Sequence, residues 1–348
     1  MERYIGLDAH ARSCTLGVLS EQGKRLKTGV VETNARALID FIKTVPGRKH
    51  LCLEEGTQSG WLYEVLSPHV DQIVVTHLER ETRGRKDDET DAFARAEDLR
   101  VGAVKPVFKD AGRMGELRAH VDVQEDVTVD LVRAQNRLKA LFRSRGVLTT
   151  GGEVYNQAHR DKYLSKLPSS YRPAALLLFA QYDALHQVKK DADKQLIACS
   201  HKHPIARKLE TCPGLGPIRV AQIIATVLSP HRFRGARQLW AYSGLGIVMR
   251  SSADWVMTPG GWQRAELNKT RGLNRNFNRR LKHVFKGAAT AVLSHRMQPM
   301  YADYVRVTEQ GTKPPMAKLT LARRIAATTL AMWKNEEVYD PDKHQRKG

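Results

Sequence analysis

The stretch YIGLDAHARSCTLGVL, residues 4–19, decides the fold of the N-terminal part of the chain. Its first apolar run, Tyr4–Leu7, predicts a strand that ends at Asp8. After a short polar turn, Cys14–Leu19 predicts a second strand, and Thr28–Glu32 predicts a third. Short apolar runs separated by turns are typical of antiparallel strands. The chain therefore begins as a strand meander.

Helices and strands alternate after this meander. The predicted elements are a helix at Asn34–Thr44, a strand at His50–Leu53, a helix at Thr57–Leu66, a strand at Ile73–Thr76 and a further helix that begins near Asp88. The first helix has an N-cap residue, Asn34, and helical spacing of Leu38, Ile39 and Ile42. This order predicts an α/β domain in which helices pack on a mixed sheet.

Acidic residues occur at three points of this pattern. Asp8 ends the first strand, Glu54 and Glu55 end the fourth, and Asp88 and Asp91 follow the fifth. Sites in open α/β sheets gather at strand ends, so these acids can converge. Converging carboxylates are the ligands that Mg²⁺ or Mn²⁺ requires, and such ions activate phosphodiester bonds. The pattern predicts a divalent metal site.

Simpler interpretations of the same acids remain open. In RGRKDDETDA, residues 83–92, acids at a helix N-terminus are favoured by capping and by the helix dipole. Asp8 also fits a turn, the two glutamates fit a solvated loop, and His10 fits the surface. A strand that ends in aspartate also begins actin-like kinases, but the sequence lacks the later glycine-rich phosphate loop of that class.

Charge is distributed unevenly along the 348 residues, whose net charge is +20. Residues 1–200 contain 31 Lys+Arg and 28 Asp+Glu, whereas residues 201–348 contain 26 and 9. The basic part suits a nucleic-acid backbone. No stretch approaches the roughly 18 apolar residues of a membrane span. No secretory signal precedes the first strand, and the four cysteines form no CxxC pair, so we expect a cytoplasmic protein without a membrane partner.

Two long helices are predicted in the middle of the chain, over Arg113–Arg145 and Tyr171–Ser200. They suggest an antiparallel coiled arm, and a plain helical hairpin fits equally well. The predicted domains are therefore a sheet domain at 1–110, a helical arm at 111–200 and a basic, mainly helical domain at 201–348.

The basic domain contains two candidate nucleic-acid contacts. Gly214 and Gly216 lie in a PGLGP turn before a predicted helix, as in helix-hairpin-helix modules, where backbone N–H groups face a phosphate. On a predicted helix at Leu273–Leu293 the basic residues repeat every three to four positions, and these are Arg275, Arg279, Lys282 and Lys286. A structural turn and a merely solvated face are the simpler alternatives.

These motifs resemble the DEDD transposases of the insertion sequence 110 family, which have a RuvC-like, RNase H-like N-terminal domain. YIGLDAH resembles the first-strand motif, LEEGTQSGW the Glu-x-Thr motif, and KDDETDA the Lys-x-Asp-x-x-Asp-Ala motif. The segments CPGLGP, AYSGL and RGLNRNFNRRLK resemble the C-terminal transposase domain. The resemblance implies that the metal ligands are Asp8, Glu55, Asp88 and Asp91.

The resemblance also implies a serine nucleophile after Ser243-Gly244-Leu245. It falls on Ser252, preceded by Arg250 as a nucleic-acid contact, and because Ala253 replaces the usual glycine, Ser251 stays an alternative. What the family implies is an enzyme that exchanges donor and target DNA strands through a serine-DNA intermediate, with Mg²⁺ or Mn²⁺. It implies guidance by a non-coding bridge RNA, a dimer that assembles to a tetramer, and a place at the bacterial nucleoid.

Two other functions remain open on the residues alone. A RuvC-like endonuclease would hydrolyse branched DNA with metal-activated water and would need no serine. A nucleic-acid-binding protein without enzymatic activity would account for the basic helix but not for the acids.

Overall fold

A mixed β-sheet forms the first of two compact units, Met1–Gly115. The structure, a computed structural model, describes residues 1–77, 87–109, 114–250, 255–264 and 270–345. The strands are β1 Glu2–Ala9, β2 Ser13–Ser20, β3 Arg25–Glu32, β4 Arg48–Glu54, β5 Gln72–Thr76 and β6 Pro106–Val107. Within the described ranges these six strands are ordered β3-β2-β1-β4-β5-β6.

The pairing of the strands follows from their connections. β1, β2 and β3 are antiparallel neighbours joined by short turns, as the meander predicts. β1, β4 and β5 are parallel neighbours; the helix α1 Ala35–Lys43 connects β3 to β4, and α2 Ser59–Leu66 lies between β4 and β5 in the chain. A parallel connection needs such a crossover. The mixed α/β sheet is confirmed, while the short edge strand β6, antiparallel to β5, was not predicted.

Helices cover both faces of this sheet. Ile5 and Leu7 of β1 point to the face on which α1 and α2 pack with Leu38, Ile42 and Leu62. On the opposite face lies α3, Asp88–Arg100. A Cβ atom on Gly6 would lie 1.8 Å from the carbonyl oxygen of Ala92 in α3. Only glycine allows this approach, which places the first turn of α3 beside the end of β1.

The second unit, Glu116–Gly348, is mostly helical in its described part. Its helices are α4 Met114–Arg143, α5 Arg160–Leu164, α6 Arg172–Ser200, α7 Pro204–Leu209, α8 Pro217–Val227, α9 Ala236–Tyr242, α10 Arg279–His295, α11 Met300–Glu309, α12 Pro314–Asn335 and α13 Pro341–Gln345. The described part of this unit also contains four short strands, β7 Ile247–Arg250, β8 Trp255–Thr258, β9 Gly261–Arg264 and β10 Thr270–Leu273, in which β7 pairs with β10 and β8 with β9, both antiparallel. None of the described helices is both long enough and apolar enough to span a membrane.

The two long helices α4 and α6 run antiparallel. Phe142 near the end of α4 packs against Phe179 near the start of α6. Farther along, Gln124 Nε2 donates to Asp193 Oδ1 at 2.8 Å. These contacts confirm two antiparallel helices, and α4 crosses from the first unit into the second at Gly115. A separate arm domain at 111–200 stays a prediction.

The basic helix begins later than the sequence predicts. α10 starts at Arg279, because the Asn278 side chain caps it by accepting a hydrogen bond from Leu281 N at 3.0 Å. Residues 270–273 belong instead to β10, and Arg275 precedes the helix. The predicted start at Leu273 was therefore wrong, since periodicity locates a helix better than its cap.

Candidate active site and nucleic-acid surface

The end of β1 and the start of α3 bring Asp8 and Asp88 together. His10 lies between them, with its Nε2 atom 3.1 Å from Asp8 Oδ2 and 3.4 Å from Asp88 Oδ1. The ligand atoms of these three residues all lie within 4.8 Å of one another. Asp8 is buried, whereas His10 and Asp88 are exposed. His10 is therefore part of the site and not an isolated surface residue.

A buried arginine holds the acids in place. Arg95 of α3 has a side chain that is only 4% exposed, and its Nη2 atom lies 3.0 Å from Asp8 Oδ1 and 2.9 Å from Glu54 Oε2. Within the described residues, Arg95 Nε and Nη1 have no hydrogen-bond partner. The sequence analysis missed Arg95. The sequence feature that could have revealed Arg95 is its position seven residues after Asp88, because residues with this spacing lie on one helix face.

Asp91 lies on the same face of α3 and is half-buried. Its backbone N–H donates to the carbonyl oxygen of Asp87, so its position in the first turn is fixed. Asp87 itself is exposed and accepts a hydrogen bond from Thr90 Oγ1 at 2.8 Å, which lowers the pKa of the Asp87 carboxyl. The Asp87 side chain therefore binds a residue in the first turn of α3. Residues 83–86 of the motif lie outside the described residues.

The two glutamates at the end of β4 have different surroundings. Leu7 of β1 is the register partner of Leu53, so the next residues, Asp8 and Glu54, lie on the same side of the sheet and share Arg95. Glu55 accepts instead from Lys109 Nζ at 2.8 Å through Oε1. Among the described residues, its buried Oε2 atom has no hydrogen-bond partner. The described ion pair of Glu55 is thus with Lys109, and its role as a metal ligand stays a prediction.

The residues present fit a divalent cation. Arg95 contacts Oδ1 of Asp8, and Oδ2 faces His10, so Asp8 can offer one oxygen to a cation while the guanidinium fixes its orientation. Carboxylate oxygens suit Mg²⁺ and Mn²⁺, and imidazole suits the transition metals better. The unpartnered Oε2 of Glu55 is a further oxygen in need of a donor or cation.

A basic surface lies on α10 in the second unit. Arg279 and Lys286 are exposed, and Lys282 is half-buried with its Nζ atom 3.9 Å from the Phe277 ring centroid. Burial, followed by repulsion from Lys286, lowers the pKa of Lys282. The other side of α10 packs into the unit, since Leu281, Val284 and Ala288 are buried.

One basic residue of α10 does not belong to this surface. Arg280 is bound by Glu125 and Asp122 of α4, at 2.8 Å and 2.5 Å from its Nη2 atom. Its charge is therefore neutralised inside the unit. Arg275, exposed ahead of the helix, stays a predicted phosphate contact.

The glycine turn has a packing role. Gly214 adopts φ +83°, and a Cβ atom there would lie 2.5 Å from the carbonyl oxygen of Ala288, so α10 requires this glycine. Gly216 caps α8 in open space, and both glycines stay predicted phosphate contacts. Arg250 ends β7, and the predicted nucleophiles Ser251 and Ser252 lie outside the described residues.

Comparison with known proteins finds transposases along most of the chain. A DEDD model of the IS110 type, described as transposase, matches residues 5–145, and a model described as transposase of the IS116/IS110/IS902 family matches residues 206–305. Together the two models match about two thirds of the chain.

Two curated relatives come from Streptomyces. The 44.8 kDa protein of insertion element IS116 from Streptomyces clavuligerus is 28% identical over 178 residues, which is 50% of this chain and 41% of that protein. The protein named as mini-circle transposase for IS117 from Streptomyces coelicolor is 28% identical over 170 residues, 44% of this chain and 41% of that protein. The matched part is thus less than half of each relative.

Replacing Arg95 by methionine should destabilise the first unit. Without the guanidinium, the buried carboxylate of Asp8 loses its cation, and breaking a buried pair in this way costs about 3 kcal/mol. Thermal unfolding of the full chain and hydrogen exchange in β1 and α3 would measure the loss. Part of it should be recovered when Asp8→Asn is added, since the amide carries no charge.

Arg100→Met is the matched control on the same helix. Arg100 pairs with Glu97 at the surface, so its loss should destabilise the unit much less than the loss of Arg95. Equal costs for Arg95→Met and Arg100→Met would contradict the role given to the Arg95 pair.

Proposed function

Because the chain belongs to the IS110 family of insertion-sequence transposases, we propose that it cuts and exchanges DNA strands at the acidic site of its first unit. The observation that carries this proposal is the cluster of Asp8, His10 and Asp88, oriented by the buried Arg95. The simpler interpretations of these acids, a solvated loop and a helix cap, require neither a buried cation nor the convergence of residues from separate elements. The cluster has a buried cation, Arg95, and its members come from separate elements.

We propose that the first unit is RNase H-like. Support comes from the sheet, in which three antiparallel strands are followed by two parallel strands with crossover helices. The acidic residues lie at the end of β1, at the end of β4 and on the helix packed against these strands. Sites in open α/β sheets occur at such strand ends. Asp91, one turn after Asp88, completes the predicted set.

The side chains of this site have separate roles in the proposed reaction. Asp8, Glu55, Asp88 and Asp91 would hold Mg²⁺ or Mn²⁺, and Arg95 keeps Asp8 in one orientation. A bound cation would polarise the scissile phosphate and stabilise the charge that develops on it. His10, between two carboxylates, is placed to take up or return a proton at Nε2.

A serine would carry the covalent step. The Oγ atom of Ser252, or of Ser251 in the alternative, would attack the scissile phosphorus and release its hydroxyl proton. As the Oγ–P bond forms, the bond from phosphorus to the leaving strand oxygen breaks, and that oxygen takes up a proton. Attack by another strand end on the same phosphorus would then free the serine, so the phosphodiester is kept for rejoining.

The partners proposed for the chain are nucleic acids and further copies of itself. Arg279, Lys282 and Lys286 form a cationic surface that suits phosphate groups without reading bases. The sequence of the DNA target would then be read by a bridge RNA, which pairs with donor and target strands. A dimer that assembles to a tetramer would bring both DNA partners together.

Capture of a protein-DNA adduct on a suicide substrate tests the proposed chemistry. With Mg²⁺, the unchanged protein should form the adduct, and Ser252→Ala should not, while Ser251→Ala should. Asp8→Asn and Asp88→Asn should lower cleavage at least about a hundredfold, because each removes a group that stabilises transition-state charge. DNA binding by all four variants should remain.

Asp87→Asn is the matched control, since Asp87 is exposed at the same helix start and lies outside the cluster. Cleavage without any adduct would indicate a hydrolytic RuvC-like nuclease. Unchanged cleavage by Asp88→Asn would contradict the metal site itself.

Glu54, the last residue of β4, and Glu55, which follows it, should behave differently. Glu55→Gln should abolish cleavage if Glu55 is a ligand, whereas Glu54→Gln should act through Arg95 and weaken Mg²⁺ activation about 10- to 100-fold, as loss of an outer partner does. Cleavage measured over a range of Mg²⁺ concentrations separates the two effects. If high Mg²⁺ fully restored cleavage by Glu55→Gln but not by Glu54→Gln, Glu54 would be the metal ligand and Glu55 the outer partner.

The basic surface predicts how binding depends on salt. Replacing Arg279 and Lys282 by alanine should reduce the slope of log K against log salt by about one unit per lost phosphate contact. Arg306→Ala is the control, since Arg306 is paired with Asp303 on α11. A slope unchanged by the double substitution would contradict the assignment of this surface.

A further inference from the structure

A second cluster of metal-ligating side chains lies in the second unit, between α4 and α6. It consists of Glu116, His120 and Cys199, whose ligand atoms all lie within 4.8 Å of one another. Glu116 and His120 are four residues apart at the start of α4 and so share one helix face. Cys199 is the next-to-last residue of α6, which the antiparallel packing brings to that face.

We propose that Glu116, His120 and Cys199 bind one borderline-soft divalent cation of the Zn²⁺ class. One thiolate, one imidazole and one carboxylate match the ligands that zinc takes in proteins. Mg²⁺ prefers oxygen ligands and would not select this set. Three protein ligands leave a fourth, tetrahedral position for water. The site therefore differs in metal preference from the carboxylate cluster of the first unit.

The surroundings of the cluster support a built site. Cys199 is 2% exposed, so a bound ion would be shielded on the thiolate side, while the exposed Glu116 leaves an entry from solvent. The Nζ atom of Lys202 lies 2.7 Å from Oε1 of Glu116. Without a cation this ammonium group neutralises the carboxylate, and it would have to yield that oxygen when a metal enters.

Binding at this cluster would tie the first turn of α4 to the last turn of α6. These turns are the base of the antiparallel helix pair, and Glu116 is the first residue of the second unit. An ion that binds only the folded form stabilises it in proportion to the logarithm of its concentration. The site would thus act as a clamp, independently of strand exchange.

Cobalt substitution of the full chain tests this site directly. Titration with Co²⁺ should produce a thiolate-to-cobalt charge-transfer band that saturates at one equivalent. Zn²⁺ should remove the band at similar concentrations, whereas a large excess of Mg²⁺ should not. Cys199→Ser should lose the band, and His120→Ala should weaken binding at least about a hundredfold, beyond the effect of losing an outer-shell partner.

Three further variants make the result decisive. Cys212→Ala, a buried thiol outside the cluster, and Asp88→Asn, in the other cluster, should keep the band. Lys202→Met should tighten binding about threefold, because Glu116 no longer has a competing cation and an exposed ion pair of this kind is weak. Circular dichroism establishes that each variant is folded, and Zn²⁺ should raise the melting temperature of the unchanged protein but not of Cys199→Ser.

The proposal would be overturned if no charge-transfer band formed, if the band persisted in folded Cys199→Ser, or if Mg²⁺ removed it as readily as Zn²⁺. Loss of the band in Asp88→Asn would show that the metal binds the first unit instead. None of these outcomes depends on whether the chain cleaves DNA.

Discussion

The pair of ionic contacts from Arg95 to Asp8 and Glu54 is the constraint on which the first unit depends. One buried guanidinium meets two carboxylates from neighbouring parallel strands, so β1, β4 and α3 are held at one point. A buried charge is costly unless it is paired, so the helix cannot shift along the sheet without exposing or orphaning these groups. Gly6 makes the arrangement sterically possible by letting α3 approach β1.

The candidate site inherits its geometry from this constraint. Oδ1 of Asp8 is bound by Arg95, Oδ2 faces His10, and His10 in turn contacts Asp88 in the first turn of α3. The proposed metal site would need little reorganisation on binding a cation, since the groups that orient its ligands are already in place. The acids belong to the nearly neutral part of the chain and the exposed cations to the basic part. Under the proposed function, strand cleavage would thus be carried out by the first unit and phosphate-backbone binding by the second.

The register of the sheet gives different neighbours to residues that look interchangeable in the sequence. Glu54 and Glu55 are adjacent and chemically alike, yet successive residues of a strand point to opposite sides. Because Leu7 pairs with Leu53, Glu54 joins Asp8, and Glu55 turns to Lys109. The motif resemblance thus selects Glu55 as a metal ligand, whereas the register places Glu54 beside Asp8. A similar distinction applies to Gly214, which looks like a phosphate turn in sequence and serves the close packing of α10 in the fold.

The sequence by itself determined the order of elements from β1 to α3 in the first unit, the two long helices, the acids at strand ends and the family, but not the short edge strand β6. These features are local or rest on spacing, so periodicity, caps and motifs report them. Only the tertiary structure decided that Arg95 joins Asp8 to Glu54, that His10 lies between Asp8 and Asp88, and that Cys199 meets Glu116 and His120. Contacts between residues distant in sequence depend on how elements dock and in which register, and the identity of a single residue does not encode that geometry.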